Sequence, residues 1–350
     1  MPESSGKTHG SGGIDHPARC FWGEPGATGR CDRQGGFMNL GKCALVGSML
    51  LAACSAPLSS QAGVSADGAL PSQRGAGQAY ELLGSQVFDL PDPVSGITYQ
   101  AYVSLSPSYD DRNARSYPVV YVTDADYGFP ILRLIGRRMN GAGPRIEEFI
   151  LVGLSYGKGQ DPMASRRRDY TPTANGASGA PAGSVHGESL RYRDYLRDKV
   201  LPFVENRFRA APGRRVYVGH SYGGLLGAQI LMTEPQMFSG YVLGSPSFWY
   251  DRKYLLRQTR SLLNQITAID TDVYVYVGEF EAQRAGDKRY QQEVDMVADN
   301  ATFAGLLSAQ NYPGLNLKAE VLADEDHLSV APRGFTKGLL HTLPARTQAE

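Results

Sequence analysis

The chain has 350 residues, 42% of them hydrophobic, and its 35 basic and 35 acidic residues leave no formal net charge. That balance gives no electrostatic argument for nucleic acid or for an anionic lipid surface as partner, and the length admits one large domain or two small ones. All four cysteines (Cys20, Cys31, Cys43 and Cys54) lie near the N-terminus, so the rest of the chain can hold neither a disulfide nor a cysteine nucleophile. No C-x-x-C or H-E-x-x-H pattern occurs, and neither a metal nor a cofactor is expected.

In chain order, residues 1–37 are Gly-rich, polar and without periodicity, and are expected to be disordered or a non-native upstream segment. Met38 to Lys42 is a short positive start, and Cys43 to Leu51 an apolar run too short to span a bilayer. Leu51-Ala52-Ala53-Cys54 resembles the lipobox of bacterial lipoproteins. The resemblance implies a signal peptide over 38–54, lipid attachment at Cys54, and an exported chain held in the periplasm or envelope by an anchor rather than a spanning helix. Residues 55–78 are small and polar and read as a flexible tether, with the folded body running over 79–345.

Ser85 to Leu90 and Ile97 to Leu105 alternate apolar and polar residues, as half-buried antiparallel strands do. Tyr117 to Thr123 and Phe149 to Leu154 are nearly continuous apolar runs, the pattern of buried parallel strands, with a helix fitting Ile131 to Met139 between them. The stretch 157–187 reads as a long loop, its first half ordered beside the site and its second half mobile. Ser189 to Phe208 has helical spacing, and strands are expected at Arg215 to Val218, Gly240 to Gly244, Asp272 to Val277 and Leu315 to Leu322, with a helix over Tyr290 to Ala309. Strands alternating with helices after an antiparallel opening predict an α/β fold with a mostly parallel central sheet and helices on both faces.

Gly219-His220-Ser221-Tyr222-Gly223 follows the strand ending at Val218 and precedes an apolar helix. This is a G-x-S-x-G pattern in a strand–turn–helix context, where a strained turn lifts the serine hydroxyl above the sheet and side chains two positions away would collide with backbone. Ser221 is therefore the candidate nucleophile, and it needs a base. Of the six histidines, His9 and His16 precede the anchor, His186 sits in the long loop, His220 adjoins Ser221 but points away, and His341 is near the end of a terminal helix. His327 follows the last strand, at the carboxyl end where α/β sheets place their sites. The acid should follow the preceding strand, where Glu279 and Glu281 fall on the same side by alternation, and Asp287 lies a little beyond. Oxyanion donors are expected from the backbone N–H of Tyr222 and from the loop after Thr123, near Ala125 and Asp126. Tyr127, beside them, is expected to line the pocket or pack.

The stretches YPVVYVTD (117–124), RDYTP (168–172), GHSYGG (219–224), SPSFWY (245–250), GEFE (278–281) and HLS (327–329) together resemble the "Putative esterase" branch of the α/β-hydrolases. That branch includes S-formylglutathione hydrolases, feruloyl esterases, mycolyltransferases and siderophore trilactone esterases, and the likeness spans roughly residues 80 to 340. It implies an α/β-hydrolase fold and a serine carboxylic-ester hydrolase acting through an acyl-enzyme on a small-molecule ester. It also points to Glu281 as the acid, three residues after a strand-end glycine. RDYTP with SPSFW most resembles the siderophore-esterase subgroup, which implies catecholate trilactone substrates. Arg166, Arg167 and Arg168 are then partners for an anionic ferric-catechol ligand and Trp249 a stacking surface; against this, Arg168 and Asp169 can form a structural ion pair and Trp249 can pack in the core. One departure is that the branch commonly carries Asp-Gly where this chain has Asp124-Ala125. An acyltransferase, a general carboxylesterase and a non-catalytic envelope lipoprotein on the same scaffold are the competing readings.

Overall fold

A computed structural model describes Gly77 and residues 79–345, apart from positions 111, 113, 177 and 178. The expected segments 1–37 and 38–54, Cys54 among them, and the tether apart from Gly77 lie outside the described residues.

Eight strands form one sheet in the order β1-β2-β4-β3-β5-β6-β7-β8. β1 (Ser85–Pro91), β2 (Thr98–Ser104) and β4 (Ile150–Gly157) pair antiparallel in sequence, while β3 (Tyr117–Thr123), β4, β5 (Ala210–His220), β6 (Gly240–Gly244), β7 (Asp270–Gly278) and β8 (Gly314–Leu322) are mutually parallel neighbours. The antiparallel opening and the parallel body are those expected from the hydrophobic pattern.

The inner strands alternate between two apolar layers, because successive side chains point to opposite faces. Val120, Val122, Val218 and Val242 face the layer formed with α1 (Ala125–Arg138) and α8 (Val330–Thr342), through Phe129, Leu132, Phe335 and Leu339. Tyr121, Tyr217, Leu243 and Val275 face the other layer, where α5 (Tyr222–Thr233) and α7 (Met296–Ser308) pack. Both faces being covered accounts for the continuous apolar strand sequences.

Several elements differ from expectation. The long loop contains α2 (Pro162–Tyr170), begun by Asp161, whose carboxylate accepts the Ala164 N–H at 2.8 Å, and by a proline in the first turn. The single helix expected over 189–208 is three pieces: α3 (Ser189–Tyr195), a π turn (Leu196–Val200) and α4 (Leu201–Arg207). Pro202 has no N–H to donate, so the regular ladder breaks just before it. The helix expected from Tyr290 begins only at Met296, where Asp295 accepts from Ala298 N–H. A further helix, α6 (Tyr250–Leu263), opens with Asp251, Arg252 and Lys253 in left-handed conformation. That costs roughly 1–2 kcal/mol per residue. It is opposed by Thr173 and Asn175, which donate to Asp251, and by the Lys253–Asp299 ion pair.

The far end of the long loop is also fixed. His186 is buried, stacks on Tyr250 and lies 3.1 Å from its hydroxyl, while Gly187 N–H donates to Thr171 Oγ1. Among the described residues no helix is long and apolar enough to cross a membrane.

Candidate active site

The site lies at the carboxyl ends of β5, β7 and β8, where the parallel strands hand over to loops. Ser221 sits between β5 and α5 with φ 59° and ψ −119°, a strained conformation for a residue with a side chain. The backbone holds it there: Ser221 N–H donates to Gly244 O at 2.8 Å, and Ser221 O accepts from Leu225 N–H at 2.9 Å. The two flanking glycines are sterically required. A Cβ on Gly219 would overlap the Gly223 carbonyl, and one on Gly223 would overlap Thr123 Oγ1.

Ser221 Oγ is 3.0 Å from His327 Nε2, and His327 Nδ1 is 2.6 Å from Glu281 Oε2. Glu281 is wholly buried. Its second oxygen accepts from Gly278 N–H at 2.8 Å and from Ser245 Oγ at 2.6 Å, so both carboxylate oxygens are satisfied without water. Of the three carboxylates considered from sequence, this one meets the imidazole. The 3₁₀ turn over 279–281 rotates the others' neighbourhood away: Glu279 instead accepts from Tyr290 OH at 2.9 Å and from Asp324 N–H at 3.1 Å. Asp287 faces Arg289 on the surface. Glu279 thereby ties down the loop that carries His327. Phe280 N–H donates to Glu325 O in the same loop, and a Cβ on Gly278 would come within 2.5 Å of that carbonyl.

His220 does point away from the Ser221 hydroxyl, but it has a place in the site. Its ring packs 4.7 Å from that of His327, and its Nε2 lies 2.8 Å from His327 O. A carbonyl only accepts, so Nε2 carries the proton. Burial, and next the proximity of His327, hold this imidazole well below its ordinary value. His220 thus props the backbone of His327 through its Nε2–H.

Tyr222 and Ala125 are the first residues of α5 and α1, where helix N–H groups have no partner within the helix. The two helix starts adjoin, since Gly223 lies directly against Thr123 and Asp124. The Ala125 departure is explained here. The left-handed residue is Asp124 (φ 55°), one position earlier, so a side chain at 125 takes ordinary helical geometry. Asp124 is wholly buried, pairs with Arg166 Nε at 2.8 Å and accepts from Tyr156 OH at 2.9 Å. Asp126, exposed, accepts from Tyr156 OH and from its neighbour's N–H.

The three expected substrate contacts are placed in different surroundings. Arg168 forms a fork on Asp169, with Nε–Oδ1 2.9 Å and Nη2–Oδ2 2.7 Å, and donates to Gln160. Asp169 is buried and shared with Arg191, which also binds Asp92 and Glu188. RDYTP is therefore a structural node joining α2, α3 and the β1–β2 turn, and Arg168 is not a free cation for a ligand. Arg166 is likewise spent on Asp124. Arg167 has no carboxylate partner among the described residues. Tyr127 turns its hydroxyl inward to Asp124 at 3.4 Å, leaving only part of its ring exposed. Trp249 is half-buried with its ring 5.9 Å from that of Tyr222, next to the nucleophile position. Sequence reasoning missed Ser245, Ser247 and the role of His220; the SPSFWY stretch was visible, but nothing in it said which atoms its hydroxyls reach. Among the described residues no cluster of three or more His, Cys, Asp or Glu side chains is placed to hold a metal ion.

Residues 96–316 match the family described as "Putative esterase". The chain belongs to this family. It is 26% identical over 279 residues, 77% of this chain and 93% of the other, to the ferri-bacillibactin esterase BesA of Bacillus subtilis. It is also 26% identical to the siderophore enterobactin esterase of Emericella nidulans, covering 66% of this chain and 83% of that one. Among solved structures, an IroE-like serine hydrolase from Shewanella oneidensis aligns with TM-score 0.65 and 25% identity, over 73% of this chain and 79% of that one. The BES protein from Bacillus cereus aligns with TM-score 0.64 and 23% identity, over 76% and 98%. The α/β-hydrolase fold and an ester-hydrolysing activity, both expected from the sequence, hold for this family member.

Proposed function

We propose that this enzyme hydrolyses the ester bonds of siderophore lactones through an acyl-enzyme on Ser221. The observation that carries the reading is the unbroken chain Ser221–His327–Glu281, with separations of 3.0 and 2.6 Å. Supporting it, the two relatives named above are described as esterases of ferri-bacillibactin and of the siderophore enterobactin.

The geometry supports a two-stage acyl transfer. Ser221 Oγ attacks the acyl carbonyl carbon while its proton passes to His327 Nε2. Glu281, held by three donors, fixes the imidazole tautomer and stabilises the imidazolium. The tetrahedral oxyanion is received by the N–H groups of Tyr222 and Ala125, with Asp126 next in line at the α1 start. His327 then protonates the departing alcohol. Water, deprotonated by the same nitrogen, releases the acid and restores Ser221.

Arg167 and Trp249 are assigned to the anionic and aromatic parts of a catecholate ligand, in place of Arg168, which is paired with Asp169. Tyr127 contributes its exposed ring edge. The reading extends to the N-terminal region: residues 79–345 as the catalytic domain, 38–54 as a lipoprotein signal, and Cys54 as the lipid attachment that keeps the enzyme in the envelope.

The test is a hydrolysis panel on the 79–345 body and its Ser221→Ala variant, comparing short p-nitrophenyl esters with a catecholate trilactone. Trilactone kcat/KM well above that for the simple esters, abolished in Ser221→Ala, is expected. Equal rates on both substrates would reduce the enzyme to a general carboxylesterase. A radiolabelled-lipid or mass measurement at Cys54 on the full chain checks the anchor.

A further inference from the structure

The segment leaving β6 reaches both ends of the Ser221–His327–Glu281 chain. Ser245 Oγ donates to Glu281 Oε1, and two residues on, Ser247 Oγ lies 3.2 Å from Ser221 Oγ. Both serines are wholly buried. Their backbone is fixed to the same strands: Ser245 N–H donates to Tyr276 O at 2.7 Å, and Ser247 N–H to Ser221 O at 3.3 Å. The turn between them is tight. Ser245 is left-handed, with φ 39°, and a Cβ on Gly224 would meet Pro246 Cα at 3.2 Å.

The direction of the Ser247–Ser221 bond follows from proton bookkeeping along the chain. Glu281 Oε2 accepts, so the proton between it and the imidazole resides on His327 Nδ1. In the neutral ring Nε2 is then an acceptor. Ser221 must give it its only proton, across 3.0 Å. The Ser221 oxygen is left with lone pairs alone, and Ser247 is the donor.

We propose that Ser247 is a positioning residue for the reaction. Its hydroxyl holds the Ser221 oxygen in line with His327 and stabilises the charge that grows on that oxygen as its proton leaves. The same charge reappears when the acyl-enzyme collapses and Ser221 departs from the carbon, so one donor serves both half-reactions. A neutral hydrogen bond becomes charge-assisted as the barrier is approached, and this difference is what accelerates the step. The proposal rests on Ser221 being the nucleophile.

The experiment compares wild type with Ser247→Ala and Ser247→Cys, the second keeping the volume but only a weak donor. The readouts are kcat and KM on a p-nitrophenyl ester, the rate of Ser221 phosphonylation by a fluorophosphonate, and Tm. In Ser247→Ala, kcat and the phosphonylation rate should each fall by about tenfold or more, the loss of one such bond. KM should stay within about twofold, and Ser247→Cys should fall between the two other proteins. A buried side chain that merely packs would lower Tm without moving these rates. Rates within about twofold of wild type in both variants overturn the proposal, as does a rise in KM with kcat intact. Failure of wild type itself to be labelled at Ser221 would instead remove the nucleophile reading; a labelled wild type with unaffected variants removes only the role of Ser247.

Discussion

Replacing Arg166 by Met asks whether this arginine serves the fold or a ligand. Its side chain is 14% exposed, its Nε lies 2.8 Å from the buried Asp124 carboxylate, and its guanidinium stands 5.5 Å over the Tyr222 ring. Methionine keeps the aliphatic stem against Tyr222 and removes the charge. Asp124 would be left with two phenol donors, Tyr156 at 2.9 Å and Tyr127 at 3.4 Å, and no cation. Stranding one member of a buried pair costs about 3–5 kcal/mol. Burial already pushes the Asp124 carboxyl up, opposed by Arg166. It would therefore take up a proton rather than stay charged, which places the cost near the lower end, about 3 kcal/mol. At about 2–4 °C per kcal/mol for a domain approaching this size, Tm should drop by about 6–12 °C. Asp124→Asn added to Arg166→Met removes the stranded charge and keeps one carbonyl oxygen to accept from Tyr156, the nearer phenol, so a double-mutant cycle should recover at least about half of the loss. Urea unfolding followed by tryptophan fluorescence measures it. An Arg166→Met protein as stable as wild type but with KM raised about tenfold would refute the reasoning, because the guanidinium would then face substrate.

Three further outcomes are expected. Glu281→Gln keeps the shape but offers His327 Nδ1 a group able to present N–H, so kcat should fall by about 10³–10⁴-fold with Tm within a few degrees; a loss under tenfold would make the pair a working dyad. Gly223→Ala drives a Cβ into Thr123 Oγ1, and overpacking of this kind costs about 1–3 kcal/mol, read as a lower urea midpoint together with lost esterase activity; an unchanged midpoint would show that the elbow has room. His220 and His186 are both held below the ordinary imidazole value, chiefly by burial. The unfolded chain therefore binds protons that the folded one refuses, and stability should fall as pH drops below about 6.5. A urea midpoint that is flat or rising from pH 7 to 5 would contradict this, and His186→Phe should shallow the slope.

The elbow was legible because its glycines answer a steric demand that shows as spacing, and the inner strands because burial on both faces leaves no polar residues in them. His327 could be picked out by its place after the last strand. Glu281 could not be separated from Glu279 by alternation, since the difference lies in a 3₁₀ turn that sends one inward and the other to Tyr290 and Asp324. α2 was hidden because its sequence PMASRRRDY presents no apolar stripe; its order comes from an Asp161 cap and from ion pairs. The arginines misled for the same reason. Arg166's partner Asp124 is remote in sequence, so its charge looked available when it was already paired, whereas Arg168 took the neighbouring Asp169, the ion pair the sequence had offered as the alternative. The start of α6 was invisible because left-handed Asp251, Arg252 and Lys253 are held by contacts to Thr173, Asn175 and Asp299.

The central claim is that ester hydrolysis passes through a covalent bond to one serine oxygen. Intact-mass spectrometry of the enzyme quenched during turnover of a slow p-nitrophenyl ester, followed by peptide mapping, tests it directly. The account predicts a single acyl adduct on the peptide carrying Ser221, absent from Ser221→Ala together with the activity. An unmodified Ser221 in wild type, with hydrolysis persisting in Ser221→Ala, would contradict it.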